Sequence, residues 1–274
     1  MKRIVMLGAG ALVLLMVFTG CRKFFDWKHG GHQHDPGCRI KKVTMYEGAD
    51  TMYANFNYNH KGDPVSVVIS DPSTGRPNLV FRYDHKGRLK EFYAPYSMDA
   101  NSNYEQWFTY RYDWKGRIVS DTAYAFGSVI NHVPQPLNDY KSYATYEYDA
   151  WDRVIKVVRT YVSVNNPEPP VAIEEYVYDE DGNLEWWLRS SNVTPSVTEI
   201  YMGPYGNKRN VRHTHKVWQF IDRNYSINEE AGAVAHNAAG LPLRYEQLGD
   251  ASRYLLYSIN ATNADLEYTC HGKH

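Results

Sequence analysis

The chain has 274 residues, long enough to bury a sizeable core, and a formal net charge of −1 that supplies no overall field for nucleic acid or acidic lipid. Mean hydropathy is low, and the apolar content leans on 24 tyrosines. Tyrosine suits half-buried strands, because the ring packs while the hydroxyl stays wet, so composition points to an all-β domain.

At the N-terminus, Lys2-Arg3 precedes an apolar run from Ile4 to Phe18 that is too short for a comfortable membrane span. Phe18-Thr19-Gly20-Cys21 follows and resembles a bacterial lipobox. On this reading residues 1–20 are a lipoprotein signal peptide and Cys21 is the lipidated first residue, its thiol forming the thioether to diacylglycerol. Several acyl chains give stable anchoring where one gives only marginal binding. The other reading is an ordinary secretory signal with an incidental cysteine. Residues 21–37, polar and rich in glycine and histidine, read as a tether with a reach of roughly 20 Å. Residues 38–274 are then the folded domain.

Within that domain one phrase recurs. It reads Phe81-Arg82-Tyr83-Asp84-His85-Lys86-Gly87-Arg88-Leu89, then Tyr110 to Ile118, Tyr146 to Val154 and Tyr176 to Leu184, with a degenerate copy from Phe56 to Gly62. The second aromatics, Tyr58, Tyr83, Tyr112, Tyr148 and Tyr178, are 25, 29, 36 and 30 residues apart. A period near thirty marks a supersecondary unit that buries its apolar face against its neighbours. Alternate aromatics share one face of a strand. The following Asp suits the first corner of a type I turn, capping the N–H two or three residues on. Gly87, Gly116 and Gly182 then take positive φ and close a hairpin with a bulge; Asp152 stands in that place in the copy at Tyr148, which Asp tolerates. Each repeat is therefore predicted to be one hairpin.

Longer turn clusters lie at Asp71 to Gly75, Val133 to Pro136 and Asn165 to Pro170, at the opposite ends of the hairpins. From Tyr201 to His236 the repeat blurs, with a basic stretch from Lys208 to Lys216 and a weak helical signal around Ser226 to Val234. Strands resume at Leu241, Arg253 and Asp265.

The repeat resembles the YD repeat, also called the RHS repeat, over about residues 38 to 270, most clearly at Tyr83-Asp84, Tyr112-Asp113, Tyr148-Asp149 and Tyr178-Asp179. With the lipobox, the chain looks like the YD-repeat lipoproteins common in Bacteroidota. That resemblance implies a spiralling sheet of hairpins, and carbohydrate binding has been proposed for some such repeats. It implies no reaction.

Motifs for catalysis are absent: there is no Gly-x-Ser-x-Gly, His-Glu-x-x-His, phosphate loop or Cys-x-x-Cys. Asp84, Asp113, Asp149 and Asp179 recur once per repeat, as turn caps do and as a general acid and base pair does not. The expectation is a non-enzymatic binding or structural module without a cofactor, with a glycan or an envelope protein as ligand and a membrane as the site of its lipid anchor, facing the periplasm or the cell surface. The alternative is a cryptic hydrolase or metal-dependent enzyme in residues 201–236, for which His213 and His215 would have to meet a carboxylate in a pocket. A smaller metal idea gathers His29, His32, His34 and Cys38 with Cys270, His271 and His274. The candidate ligand-binding residues are Trp114 and Trp151, large rings placed inside hairpin turns where they could stack on sugar faces or fold back over neighbouring hairpins.

If Cys21 is lipidated, Cys38 and Cys270 are the two thiols left, and an exported chain meets an oxidising compartment. A flat meander of about fourteen strands would hold its ends some 60 Å apart, whereas a disulfide needs Cα atoms within about 7 Å. The bond is therefore expected to require a sheet curled into a closed or nearly closed barrel. The alternative is an open twisted sheet with two unpaired cysteines.

Overall fold

A computed structural model describes residues 37–137, 141–162, 169–193, 196–230, 232–246, 256, 259 and 263–270. The expectations for the signal peptide, Cys21 and the tether lie outside these residues. So do those for His29, His32, His34, His271 and His274.

The domain is an antiparallel meander whose hairpins follow the repeat. After β1 (Cys38–Glu47) come β2 (Asp50–Tyr58), β3 (Pro64–Ile69), β4 (Leu79–Tyr83), β5 (Leu89–Pro95), β6 (Ser102–Tyr112) and β7 (Ile118–Ile130). Then follow β8 (Val133–Gln135), β9 (Lys141–Tyr148), β10 (Val154–Val162), β11 (Val171–Tyr178), β12 (Leu184–Ser191) and β13 (Thr198–Tyr201). The cluster at Val133 to Pro136, predicted as a turn, instead supplies β8, which pairs with the far end of β7 around an Asn131-His132 turn. Pro134 is tolerated because β8 is an edge strand.

The repeat turns have the predicted Asp cap and positive-φ position, with the capped N–H groups two and four residues on instead of two or three. Asp84 Oδ1 accepts from the N–H groups of Lys86 and Arg88, both at 2.9 Å, and Gly87 has φ +74°. Gly116 and Gly182 have φ +82° and +85°, and Asp152 takes φ +60° in the glycine place. The arginine after the glycine has a double use. Arg88, Arg117 and Arg153 each donate Nε to their own capping Asp at 2.7–2.9 Å and lie over the tyrosine of the next repeat, Tyr112, Tyr148 and Tyr178, at 4.4, 5.0 and 4.0 Å.

Those same tyrosines stitch one repeat to the last. Tyr83, Tyr112 and Tyr148 donate their hydroxyls to the carbonyls of Pro64, Leu89 and Ile118, at 2.8, 2.7 and 2.6 Å. Each carbonyl belongs to the first residue of the returning strand one repeat earlier. Burial pushes these phenols up, Tyr148 to about 12, so they remain donors at any ordinary pH.

After β13 the chain leaves the meander through β14 (Tyr205–Arg209), a 3₁₀ turn (Val211–Thr214), a short helix α1 (Lys216–Asp222) and β15 (Asn228–Glu230). It then adds β16 (Ala233–His236), β17 (Pro242–Tyr245) and β18 (Asn263–Cys270). The sheet runs from β13 back through the meander to β1, then continues to β18, β17 and β16. The helix lies upstream of the weak signal at Ser226 to Val234, because Val217, Trp218, Phe220 and Ile221 supply its apolar face.

That helix explains the curvature. Trp218 is fully buried, edge-on to Phe56 of β2 and Phe81 of β4, and Phe220 reaches Tyr110 of β6 and Tyr146 of β9. In a flat sheet β2 and β9 would stand about 29 Å apart, six strand spacings. Two residues so close in sequence touch both only because the sheet wraps around them.

Cys38 and Cys270 face each other in the β1–β18 ladder, with Cα atoms 3.9 Å apart and an S–S bond of 2.04 Å. Yet the sheet does not close: β13 and β16 remain its edges. The expected closure fails because β18 reaches the free edge of β1 by a crossover beneath the sheet, so the chain ends meet without the sheet ends meeting.

Candidate binding clefts and the turn rim

The inner face of the sheet is filled at the turn end and open towards the longer loops. At the turn end α1 acts as a plug. His215 caps it, Nδ1 accepting from the N–H of Val217 at 3.2 Å, and its Nε2 lies 3.4 Å from Asp63 Oδ1 beside the first turn. His213 Nε2 is 2.9 Å from the carbonyl of Ser226, Gln219 Nε2 lies 3.2 Å from its Nδ1, and burial pushes its pKa down. The two imidazoles thus hold the plug together, and neither lines the clefts that follow. Among the described residues no group of three His, Cys, Asp or Glu side chains is placed to hold a metal ion, and Cys38 and Cys270 are bonded to each other.

Towards the loop end the small side chains Ala123, Ala125 and Ser142 form the floor of a cleft of about 610 Å³. Gln106 and Phe108 of β6 make one wall, Arg159 and Tyr161 of β10 the other, and Lys141 stands at its end. Strand alternation puts these residues on one face, since Phe108, Ala123, Ser142 and Tyr161 succeed one another across the ladder. Arg159 is fixed by two bonds to the fully buried Asp121, at 3.0 and 2.8 Å, and one to Ser142 at 2.9 Å. Tyr146 donates a further short bond to Asp121 and accepts one from Arg223 at 2.7 Å.

A second cleft of about 420 Å³ also touches Gln106 and lies between the sheet and the end of α1. Its walls include Tyr176, Trp187, Glu174, Arg212 and Arg223. Arg212 is held by Asp222 at 2.5 Å and Glu230 at 3.3 Å. Arg223 ends the helix with φ +52° and rests on the Phe220 ring at 4.0 Å, and its Nη1 is buried with no hydrogen-bond partner among the described residues.

Trp114 and Trp151 stand elsewhere, on neighbouring turn tips at the opposite end. They are 90% and 55% exposed, so neither folds back over the next hairpin. They occupy the second and third turn positions, and neither lines a cleft described here. The two tips are joined by Arg117 Nη1 and Asp152 Oδ1 at 3.0 Å. Trp218 is core, and Trp107 packs on the outer face against Tyr124 at 4.7 Å.

Sequence reasoning missed the clefts, since Arg159, Tyr161, Gln106 and Arg223 belong to no motif. It also missed a sixth turn of the repeat type. Asn237 Oδ1 accepts from Ala239 and Leu241 N–H, Gly240 has φ +77°, and Tyr268 donates to the Pro242 carbonyl at 2.7 Å. The spacing Asn-x-x-Gly was the available signal, hidden because no aromatic pair precedes it.

No family model and no curated protein matches the chain. Among solved structures, a porin-like protein from Bacteroides vulgatus is similar over 84% of this chain and 98% of its own, with 13% identity and a TM-score of 0.43. A chain of the Tc holotoxin pore of Photorhabdus luminescens is similar over 70% of this chain, with 16% identity and a TM-score of 0.31. A chain of the TcdB2-TccC3-Cdc42 structure is similar over 76% of this chain, with 15% identity and a TM-score of 0.31. The chain spans 10% and 11% of those two toxin chains.

Proposed function

We propose that this protein is a lipid-anchored envelope lipoprotein of the YD-repeat kind, and that it acts as a non-enzymatic binding module. Its ligand is an extended glycan or peptide held on the inner face of the curled sheet. The cleft walled by Phe108, Gln106, Arg159 and Tyr161 is the observation that carries this reading. It offers a concave floor of small side chains, two aromatic walls and a guanidinium already oriented by Asp121, the combination that binding clefts use to fix a ligand. The adjoining cleft adds the Arg223 guanidinium to its lining, a positive charge that suits a ligand carrying an acidic or carbonyl oxygen. The paired cysteines support an oxidising compartment, in keeping with an exported chain.

A glycan array with the intact protein, combined with pull-down from envelope extract, tests the reading. Tyr161→Ala, at a side chain 45% exposed, removes one wall without opening the core. It is expected to weaken captured ligands at least tenfold, while Trp114→Ala leaves them bound. The reverse result would move the ligand to the tips and refute the cleft.

A further inference from the structure

We propose that the rim of repeat turns is the face this protein lays against a lipid bilayer, its occupant being the anionic headgroup layer of the membrane to which the chain before Cys38 leads. The inference rests on the lipoprotein reading for the position of that membrane, and on the rim itself for the contact.

The exit of the chain comes first. β1 begins at Cys38 and runs away from the turns, since its other end, Glu47, pairs with Asp50 at the start of β2. The Arg39 guanidinium lies against Gly62 of the first turn, where a Cβ would collide with it. Cys21 is seventeen positions before Cys38, at most about 60 Å of extended chain. The chain thus enters the described domain at the end that carries the turns.

Charge comes second. Lys61, Lys86 and Lys115 occupy the same third position of three successive tips, all exposed and with no salt bridge among the described residues. Neighbouring tips stand two strands apart, about 10 Å, so the lysines form an evenly spaced row. His60 and His85 precede two of them, and the exposed Lys216 begins α1 behind the row. Trp114 and Trp151 continue the rim on the third and fourth tips. Indole rings favour the headgroup level of a bilayer, where an apolar body and a polar N–H are both satisfied.

The acidic groups of the rim are accounted for. Asp84, Asp113 and Asp149 are bound to their own arginines, Asp152 to Arg117, and Asp63 of the first tip accepts from Asn59 and lies 3.4 Å from His215. Glu180 and Asp181 are exposed on the fifth tip, which makes the rim basic and aromatic over four tips and acidic at the next. Contact therefore falls on the first four. The net charge of −1 conceals this segregation. Seated this way, the domain points its open clefts away from the membrane.

The test uses the full lipidated chain in phosphatidylcholine–phosphatidylglycerol vesicles with brominated acyl chains, read by tryptophan fluorescence. Bromine is expected to quench part of the emission. In a Trp27→Phe background, which removes the indole six residues after Cys21, Trp114→Phe/Trp151→Phe should abolish that quenching while the protein still sediments with the vesicles. In a Cys21→Ser background, Lys61→Gln/Lys86→Gln/Lys115→Gln should weaken vesicle binding at low salt on the order of 100-fold, about fivefold for each lysine. Raised salt should weaken the Cys21→Ser protein in the same direction. In the Trp27→Phe background, equal quenching with and without the Trp114→Phe/Trp151→Phe substitutions, or no quenching in protein that sediments with vesicles, overturns the proposal. A Cys21→Ser protein that sediments as firmly as the lipidated chain refutes the anchor alone, and the quenching comparison still decides the rim.

Discussion

Valine at Gly87 or Gly116 isolates the backbone requirement of the repeat turn. Both glycines sit in the left-handed region, at φ +74° and +82°, and a Cβ built on either meets nothing within 4 Å. Any loss of stability is therefore backbone strain and not a clash. A β-branched residue held there costs about 1–3 kcal/mol. For a domain of this size that corresponds to a fall in Tm of roughly 2–12 °C. Gly182 provides the internal contrast, because its Cβ would lie 2.7 Å from Ile227 Cδ1. Gly182→Ala should accordingly cost more than Gly116→Ala, the difference measuring packing at the crossover. Thermal unfolding followed by circular dichroism, with the disulfide intact, reads all four variants. An unchanged Tm in both valine variants would refute the turn assignment, and equal losses for the two alanine variants would refute the packing step.

Tyr112→Phe removes the hydroxyl that bonds the Leu89 carbonyl and should destabilise by about 1–2 kcal/mol in urea unfolding, with little change in the m-value. Cys38→Ser/Cys270→Ser opens a link spanning 232 residues, and the loss of stability under reducing conditions should match that of the double variant, on the order of 2–5 kcal/mol in urea unfolding. The Asp84 carboxyl is held at about 2 chiefly by the Arg88 N–H, so its contribution is present above the usual carboxylate value and is lost as pH falls through about 2; Asp84→Asn should flatten the acid limb of a Tm against pH curve. Burial lowers the His213 pKa, so the unfolded chain binds the proton first and stability should fall as pH drops below about 6.5, a slope that His213→Gln should reduce.

Much of the outer architecture was legible because the repeat encodes it locally. Asp84 and Gly87 specify the same turn wherever they recur, and alternate aromatics specify the strand before it. The ladder from Tyr112 to the Leu89 carbonyl was not legible, although it uses repeat residues, because its partner is a backbone atom one unit away and carries no side-chain signature. The clefts escaped for a related reason. Gln106, Ser142, Arg159 and Tyr161 come from three strands, and only the register of the ladder puts them together. Lys208 to Lys216 read as a charged surface stretch, but Arg212 is buried between Asp222 and Glu230, partners supplied by later sequence.

Strand order is the deeper limit. A meander with bonded ends was expected to be a barrel, because local sequence gives each strand a neighbour before and after it and says nothing of a third. β1 has a second edge, and the chain after β13 returns beneath the sheet to fill it with β18. That return carries Trp218 and Phe220 through the interior, so one crossover both brings Cys270 to Cys38 and sets the curl of the sheet. The curl needs no closure, since the plug supplies at the turn end the apolar contacts that opposite strands supply to one another in a barrel. What the plug leaves uncovered is the loop end, and there the inner face stays open between Gln106 and Tyr161. The open clefts and the bonded chain ends are thus two consequences of the same crossover, and shortening the α1 side chains, as in Trp218→Ala, should cost about 3–5 kcal/mol and loosen both.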